Sequence, residues 1–488
     1  MIRKFTFLGL FLVLFLSSCD SEYDVFEEKV ARFGNDKTIS VSEWGELKSD
    51  IHLFEKDRSF RKFFSDEKFD ENKLNVFLEK FGYAVESKAD ANSSKNTFIN
   101  VYIENSGSMN GYINGNTEFK AAIQDLLVLL KYQYDEKNIN LFFINSQIHP
   151  TALNNDLTGF ASSLNTKNFK VGNTAVSDLN NVFKQVLHKT KKDTMSILVS
   201  DCIYSIHGNK TQELLSNEKS LTKDAFLTKS KENLNLSTTI VKLNSHFNGN
   251  YWDMNNKKTL LKNELRPYYI TIIGDEKAMD NFNSNIELTA EKVNGYQNKY
   301  VLRSQPKKTK VFYSLINTTF DKGSYKVSRD ENSTGGIHSI EDIKIDSRNG
   351  DDFIFSIAVD FSSVPTEADY ITDISNYNAT GYKILKIVPF DNKSVKPNSL
   401  NSVKRINAHP THIITVQSPK NDYSDFVLKL AKNAPEWIAN TNIEDDTNVE
   451  ANIGKTFGFK YLAEGISEAY EIATKSNTYA ELPIKIKK

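Results

Sequence analysis

Cysteine is almost absent from this chain, with two among 488 residues. At most one disulfide can form within it, so the fold must be held by its core rather than by cross-links. Proline and glycine are sparse as well, at 10 and 21 residues, which excludes a low-complexity or collagen-like chain. No charge of one sign dominates. The 61 basic and 62 acidic residues give a net charge of -1 and leave no basic footprint for nucleic acid. The 8 histidines are scattered; "HPTH" brings His409 and His412 together, but nothing nearby completes a zinc site. There is no P-loop and no Gly-x-Ser-x-Gly elbow. What the chain does have is 39% hydrophobic and 11% aromatic residues, a composition suited to globular cores. At about 100–200 residues per domain, its length accommodates two or three of them.

The N-terminus is set apart from this globular pattern. Arg3 and Lys4 precede "FTFLGLFLVLFLSS", an apolar stretch short of the roughly 20 residues needed to span a bilayer. Residues 1–18 therefore read as a secretory signal peptide. The stretch runs into "LSSC", residues 16–19, which resembles the lipobox of bacterial lipoproteins. In that family the cysteine becomes the new N-terminus and carries the lipid; here that residue is Cys19. The plain alternative is a cleaved signal with an incidental cysteine. The resemblance implies a bacterial cell-envelope protein held on a membrane by its lipid. Loss of Arg3 and Lys4 leaves 59 basic against 62 acidic residues, a net charge of -3, with Cys202 as the only other thiol. The acidic "DSEYDVFEE" that follows resembles a surface-export signal in some bacterial groups. In others an aspartate directly after the cysteine favours the inner membrane, and a solvated tether is the bland reading. The expected placement is the outer membrane or cell surface.

Apolar spacing at three and four residues predicts helices in "VSEWGELKSDIHLF" and "NKLNVFLEKFGYAV", within a tether and helical segment at 19–94. Ser40 and Glu43 form a capping box there. The same stretch matches the end of a calcium loop only partly, because Arg32 and Lys37 replace its aspartate and glycine. "ESKADANSSKN", residues 86–96, reads as a linker. Continuous apolar strands then alternate with amphipathic helices over 95–285: "TFINVYI", "INLFFIN", "MSILVS", "STTIVKL" and "YYITIIG" are the strands. The helix at 175–190 puts Val176, Leu179, Val182, Phe183, Val186 and Leu187 on one face. This alternation predicts an α/β fold with a doubly wound, mostly parallel sheet covered on both sides. From 286 to 488, strands such as "DDFIFSIAVDFS", "GYKILKIVPF" and "HIITVQS" are separated by polar turns. They predict a mainly-β, sandwich-like domain. A C-terminal helix, "TFGFKYLAEGISEAYEIA", is expected to pack on it.

Ligands in open α/β sheets bind at the carboxyl ends of the strands. Three such ends here are rich in oxygen. "VYIENSGSMNGY" supplies Glu104, Ser106 and Ser108; "VGNTAVSD" supplies Thr174; "MSILVSD" supplies Asp201. Two carboxylates and three hydroxyls suit a hard cation, which takes about six oxygen ligands. Their order resembles the von Willebrand factor A domain and its metal-ion-dependent adhesion site, which uses Asp-x-Ser-x-Ser, a later threonine, and an aspartate after a buried strand. Glu104 departs from that pattern by standing where the family has aspartate. The resemblance covers about 190 residues and implies a vWA/Rossmann-like fold, Mg²⁺ or Mn²⁺ as cofactor, and a protein or other envelope or extracellular ligand as partner. The separate plain readings are turn caps for Ser106 and Ser108, an N-cap for Thr174, and a strand-end acceptor for Asp201.

The function expected from these features is a non-enzymatic binding module. An envelope-assembly protein with an inactive metal site is one alternative. An envelope hydrolase using Ser106, His207 and Asp201 is another. Cys202 reads as a buried small apolar residue, and the acidic "NIEDDTN" at 442–448 as a solvated loop.

Overall fold

The computed structural model describes residues 22–487, except 34–37, 40, 66–67, 86–96, 152–155, 176, 207, 209, 233–234, 287, 304–310, 329–335, 346–351, 363, 365, 406–408 and 420–422. The signal peptide, Cys19, Ser40 and Val176 thus lie outside the described residues. The chain divides into two units, Met1–Ala91 and Asn92–Lys488.

The first unit is built from aromatic helices. It comprises α1 (Glu22–Phe33), β1 (Thr38–Ile39), α2 (Val41–Leu53), a 3-10 helix (Arg58–Phe63), β2 (Phe64–Ser65), β3 (Lys68–Phe69), α3 (Glu71–Lys80) and β4 (Ala84–Val85). Asp57 and Asp70 cap the 3-10 helix and α3 by accepting from the Ser59 and Asn72 amides at 2.8 and 3.0 Å. Phe26, Leu47, Phe60, Phe63, Leu74 and Leu78 form the core. Its rings meet edge to face, with Phe26 and Phe60 centroids 5.2 Å apart.

The second unit opens with β5 (Phe98–Glu104), α4 (Glu118–Gln133), β6 (Ile139–Ile144), β7 (Ile148–Pro150), α5 (Leu157–Ser163), α6 (Leu179–Lys189) and β8 (Thr194–Ser200). It continues through α7 (Thr211–Ser230), β9 (Leu236–Trp252), β10 (Lys258–Asp275), α8 (Glu276–Asn285) and β11 (Tyr296–Arg303). The strands form one seven-stranded sheet, ordered β11-β9-β10-β8-β5-β6-β7. Its central strand β8 is buried along its whole length. One face is covered by α4, α5 and α8, through Phe119, Ile123, Leu127, Phe160 and Phe282.

The doubly wound, mostly parallel sheet of a vWA/Rossmann-like fold, expected from the sequence, is not what forms; the sheet is mixed. Only β8, β5 and β6 run parallel; β7, β10, β9 and β11 are all antiparallel to their neighbours. The reason lies between "STTIVKL" and "YYITIIG". A parallel connection needs a crossover of a dozen or more residues, usually helical. Here both strands instead extend into a long hairpin, pairing from Leu236↔Asp275 to Trp252↔Lys258 with one register shift between Leu261 and Glu264. Its turn is closed by Asp253, whose Oδ1 accepts from the Asn255 and Lys257 amides at 2.9 Å each.

The remaining chain builds β12 (Tyr313–Ile316), β13 (Ser324–Val327), β14 (Ser339–Lys344), β15 (Ile354–Val359), α9 (Ala368–Thr372), β16 (Tyr377–Asn378), β17 (Lys383–Pro389), α10 (Pro397–Arg405), β18 (His412–Gln417) and β19 (Phe426–Ala431). It ends with α11 (Glu436–Thr441), β20 (Asn442–Ile443), β21 (Thr456–Phe457), α12 (Phe459–Thr474) and β22 (Thr478–Ile486). A four-stranded sheet, β12-β15-β18-β17, and a five-stranded sheet, β13-β14-β22-β19-β16, share one core around Phe355, Ile357, Ile414, Leu428 and Leu482.

The C-terminal helix α12 does not pack on these β-sheets, as its place in the sequence suggests. Phe459, Leu462, Ile466 and Tyr470 join α6, α7 and the second face of the seven-stranded sheet, against Tyr269, Ile240 and Phe226. The Phe459 ring stacks on Tyr269 with centroids 3.9 Å apart. Lys219 and Lys223 of α7 reach Glu468 of α12 at 2.7 and 2.9 Å. These ion pairs are partly exposed and contribute about 0–1 kcal/mol each, so apolar burial fixes the helix. Ile466→Ala, at a fully buried position, is expected to cost about 2–5 kcal/mol. Glu468→Ala should cost no more than about 1 kcal/mol for each lost pair. Urea unfolding midpoints of the two variants test this ordering.

Candidate functional site

The carboxyl ends of the parallel strands β5 and β8 bring the acidic residues together. Glu104 ends β5 and is 4% exposed; Asp201 follows β8 and is 3% exposed. The chain turns sharply after Asp201 because buried Cys202 adopts a left-handed conformation with φ of 53°. Ser200 lies between the two acids. Its hydroxyl donates to Glu104 Oε2 and accepts from the Cys202 amide at 2.8 Å.

Ser106 and Ser108 flank the start of a 3-10 turn at Gly107–Gly111. Ser106 makes no side-chain cap to that turn. Its hydroxyl pairs instead with the Ser108 hydroxyl, 3.0 Å away. The turn is overlaid by the β9–β10 hairpin, and glycine makes this approach possible. A Cβ at Gly111 would meet the Phe247 ring at 2.3 Å. At Gly107, a Cβ would stand 3.5 Å from the Thr174 carbonyl oxygen and 3.7 Å from the Trp252 ring.

The Thr174 carbonyl thus lies beside this turn, and Thr174 does not cap α6. That cap is Asp178, which accepts from the Asn181 amide at 3.1 Å. The loop carrying Thr174 is tied down by two fully buried asparagines. Asn105 donates to the Phe169 and Val171 carbonyls at 2.9 and 2.8 Å. Asn145 donates to Asn105 Oδ1 at 3.0 Å and to the Val171 carbonyl at 2.8 Å. Both directly follow an apolar strand, a position that the strand pattern alone does not single out.

Ser177, 7% exposed, and Arg266 are not marked by the sequence pattern; the Ser177 hydroxyl is buried without a hydrogen-bond partner and bears on the Glu104 carboxyl. The Arg266 guanidinium is 2% exposed, sits 4.2 Å from the Tyr251 ring centroid, and bears electrostatically on Asp201. Its signal in the sequence was only a basic residue inside a strand. Tyr251 in turn donates to Asp446, which also accepts from the Met254 amide at 2.8 Å. Asp446 is 2% exposed, so the "NIEDDTN" stretch, expected to be solvated, is exposed at Asp445, Thr447 and Asn448 but anchored inward at this one residue. Cys202 is buried, as expected. His207 lies outside the described residues.

Electrostatically the site is under load. Burial, then the charge of Asp201, pushes the Glu104 carboxyl up to about 7, against the hydroxyls of Ser200, Ser177 and Ser106. Burial also pushes Asp201 up, while Ser108, the Ile203 amide and Arg266 hold it back. Asp201 Oδ1 accepts from the Ile203 amide at 3.3 Å. Asp201 Oδ2 is buried with no hydrogen-bond partner. Among the described residues no group of three or more His, Cys, Asp or Glu is placed to hold a metal ion. Any cation here would rest on this carboxylate pair and its hydroxyls.

A carboxyl pKa raised on folding means that the folded state holds the proton longer than the unfolded one. Stability is then greatest below the unfolded value and falls as pH rises toward the folded one. For Glu104 the window runs from 4.5 to about 7, a loss of about 3 kcal/mol at 1.36 kcal/mol per unit. In the absence of divalent cations the melting temperature should fall between pH 5 and pH 8, by roughly the range in which Glu104 titrates. Glu104→Gln should flatten this slope in differential scanning calorimetry.

No protein-family model matches this chain, and neither a curated protein nor a solved structure is significantly similar to it.

Proposed function

We propose that this chain is a lipid-anchored cell-envelope protein that captures a partner through a divalent-cation site at Glu104, Ser106, Ser108 and Asp201, with Thr174 at its rim. One observation carries the reading: the partnerless Asp201 Oδ2 lies buried beside a second carboxylate. An unpaired buried acceptor is costly, and two adjacent carboxylates repel. A cation relieves both. Ser177, whose buried and unpartnered hydroxyl bears on Glu104, joins the oxygen set that would hold it. Mg²⁺ or Mn²⁺ suits such hard oxygen donors, and when bound supplies a Lewis-acidic centre for an oxygen ligand.

Charge counting indicates the kind of partner. Ionised Glu104 and Asp201 with Arg266 carry a net charge of about -1, which a divalent ion turns to about +1. A surplus positive charge at the carboxyl edge of a sheet favours an acidic group on the partner. Trp252, 36% exposed and close over Gly107, supplies an apolar contact beside it.

Arg266 itself favours a second reading. A resident guanidinium already offsets part of the carboxylate charge, so the site also fits a structural role in an envelope assembly without metal. Calorimetry separates the two. On the first reading Mg²⁺ or Mn²⁺ binds at millimolar concentration or below. It raises the melting temperature more at pH 8 than at pH 5.5, since it competes with the Glu104 proton. Ser108→Ala and Ser177→Ala weaken binding at least tenfold, whereas Thr174→Ala has a smaller effect. Absence of any binding heat with either ion sinks the metal reading and leaves the structural one.

The anchor rests on Cys19. Among the described residues no helix is long and apolar enough to cross a membrane. Several acyl chains on one residue hold a soluble body firmly on a bilayer, where one chain is marginal. Cys19→Ala is expected to move the protein from the membrane to the soluble fraction and to abolish its palmitate labelling. Equal labelling of mutant and parent would overturn the assignment.

A further inference from the structure

The N-terminal unit carries an unusual turn between α2 and α3. "LFEKDRSFRK", residues 53–62, packs four cations into ten positions. Lys56, Arg58 and Arg61 are exposed, and none has an ion-pair partner among the described residues. Leu53, at the head of the turn, is 73% exposed. The acidic residues of the turn, Glu55 and Asp57, offset only half of this charge, and Asp57 is engaged in capping the 3-10 helix through the Ser59 amide at 2.8 Å.

The position of this turn in the fold gives it meaning. Tyr23, in the first turn of α1, packs edge to face on Phe60 with centroids 5.4 Å apart. The Lys62 ammonium lies 4.1 Å from the Tyr23 ring centroid and donates to its hydroxyl. The basic 3-10 helix is therefore docked on the beginning of α1. Only residues 20 and 21 separate Glu22 from Cys19. An extended chain spans about 3.3–3.6 Å per residue, so Glu22 stays within roughly 11 Å of Cys19 in any conformation.

We infer that Leu53, Lys56, Arg58 and Arg61 form a docking surface for the anionic headgroups of a phospholipid leaflet, and seat the N-terminal unit directly on the membrane that holds Cys19. The inference rests on the lipid anchor proposed above, which places the start of α1, and the turn packed on it, at headgroup level. Lysine and arginine close to an anionic leaflet are attracted within about a Debye length of its surface. A single exposed leucine beside them enters the interfacial region, as on amphipathic membrane-binding segments.

The test uses the full mature chain with Cys19→Ser, so that the turn's own affinity is read without acyl chains. Cosedimentation with vesicles of phosphatidylcholine and phosphatidylglycerol is compared with pure phosphatidylcholine vesicles at low ionic strength. The expected result is at least tenfold stronger partitioning onto the anionic vesicles. It should be lost in molar salt and in the combined Lys56→Glu, Arg58→Glu, Arg61→Glu variant, and reduced severalfold in Leu53→Ser. Reversing three exposed lysines of the second unit instead, Lys344, Lys383 and Lys393, should leave partitioning within twofold of the parent. Equal partitioning onto both vesicle types, or equal loss in the two triple variants, overturns the docking surface. A failed anchor reads out separately, as absent palmitate labelling of the Cys19 chain with vesicle binding of the Cys19→Ser chain intact.

Discussion

The seven-stranded sheet imposes the main constraint on this molecule, because its central strands must be dry on both faces. Every residue of Thr194–Ser200 is buried, and Ile99, Val101, Tyr102 and Ile103 of the neighbouring strand are no more than 1% exposed. Local helices suffice for one face. The other is closed by α6 and α7 together with α12, a helix that arrives after every strand of the two-sheet β region except β22. Apolar burial of α12 thus joins the two ends of the Asn92–Lys488 unit, and it underlies the firmness of everything placed on the strand ends.

That firmness matters for the acidic site. Glu104 and Asp201 sit at the ends of two adjacent parallel strands paired from Phe98↔Thr194 to Ile103↔Val199, so neither can swing away from the other. Repulsion that a flexible loop would relieve by moving is instead held in the fold, in part through hydroxyls that favour the charged forms. The buried asparagines Asn105 and Asn145 extend the same rigidity to the Thr174 loop. Arg266 and Asp446 extend it to the hairpin, on either side of Tyr251.

The parts of this arrangement carried by local patterning were legible in the sequence. Continuous apolar runs marked β5, β6 and β8, and the oxygen-rich residues after β5 and β8 marked where Glu104 and Asp201 would meet. Strand direction was not legible, because an apolar run looks the same whichever way it pairs; the decision lay in the polar "WDMNN" turn, whose asparagines and aspartate favour a hairpin. The partner of α12 was invisible for a different reason. Its apolar stripe of Phe459, Leu462, Ile466 and Tyr470 specifies burial but not the surface that provides it. Ser177, Arg266 and the two asparagines escaped because each is a common residue whose role comes from what the fold sets beside it.

The late arrival of α12 has a temporal side. About 260 residues separate the end of β8 from its start. At a synthesis rate of about 5–20 residues per second, the second face of the sheet waits roughly 13–50 s for its cover. During that interval Tyr269, Ile240 and Phe226 lack the neighbours that α12 later gives them. The second face of the sheet is therefore the part of this unit whose cover is synthesised last, and it is completed only when the C-terminal helix leaves the ribosome.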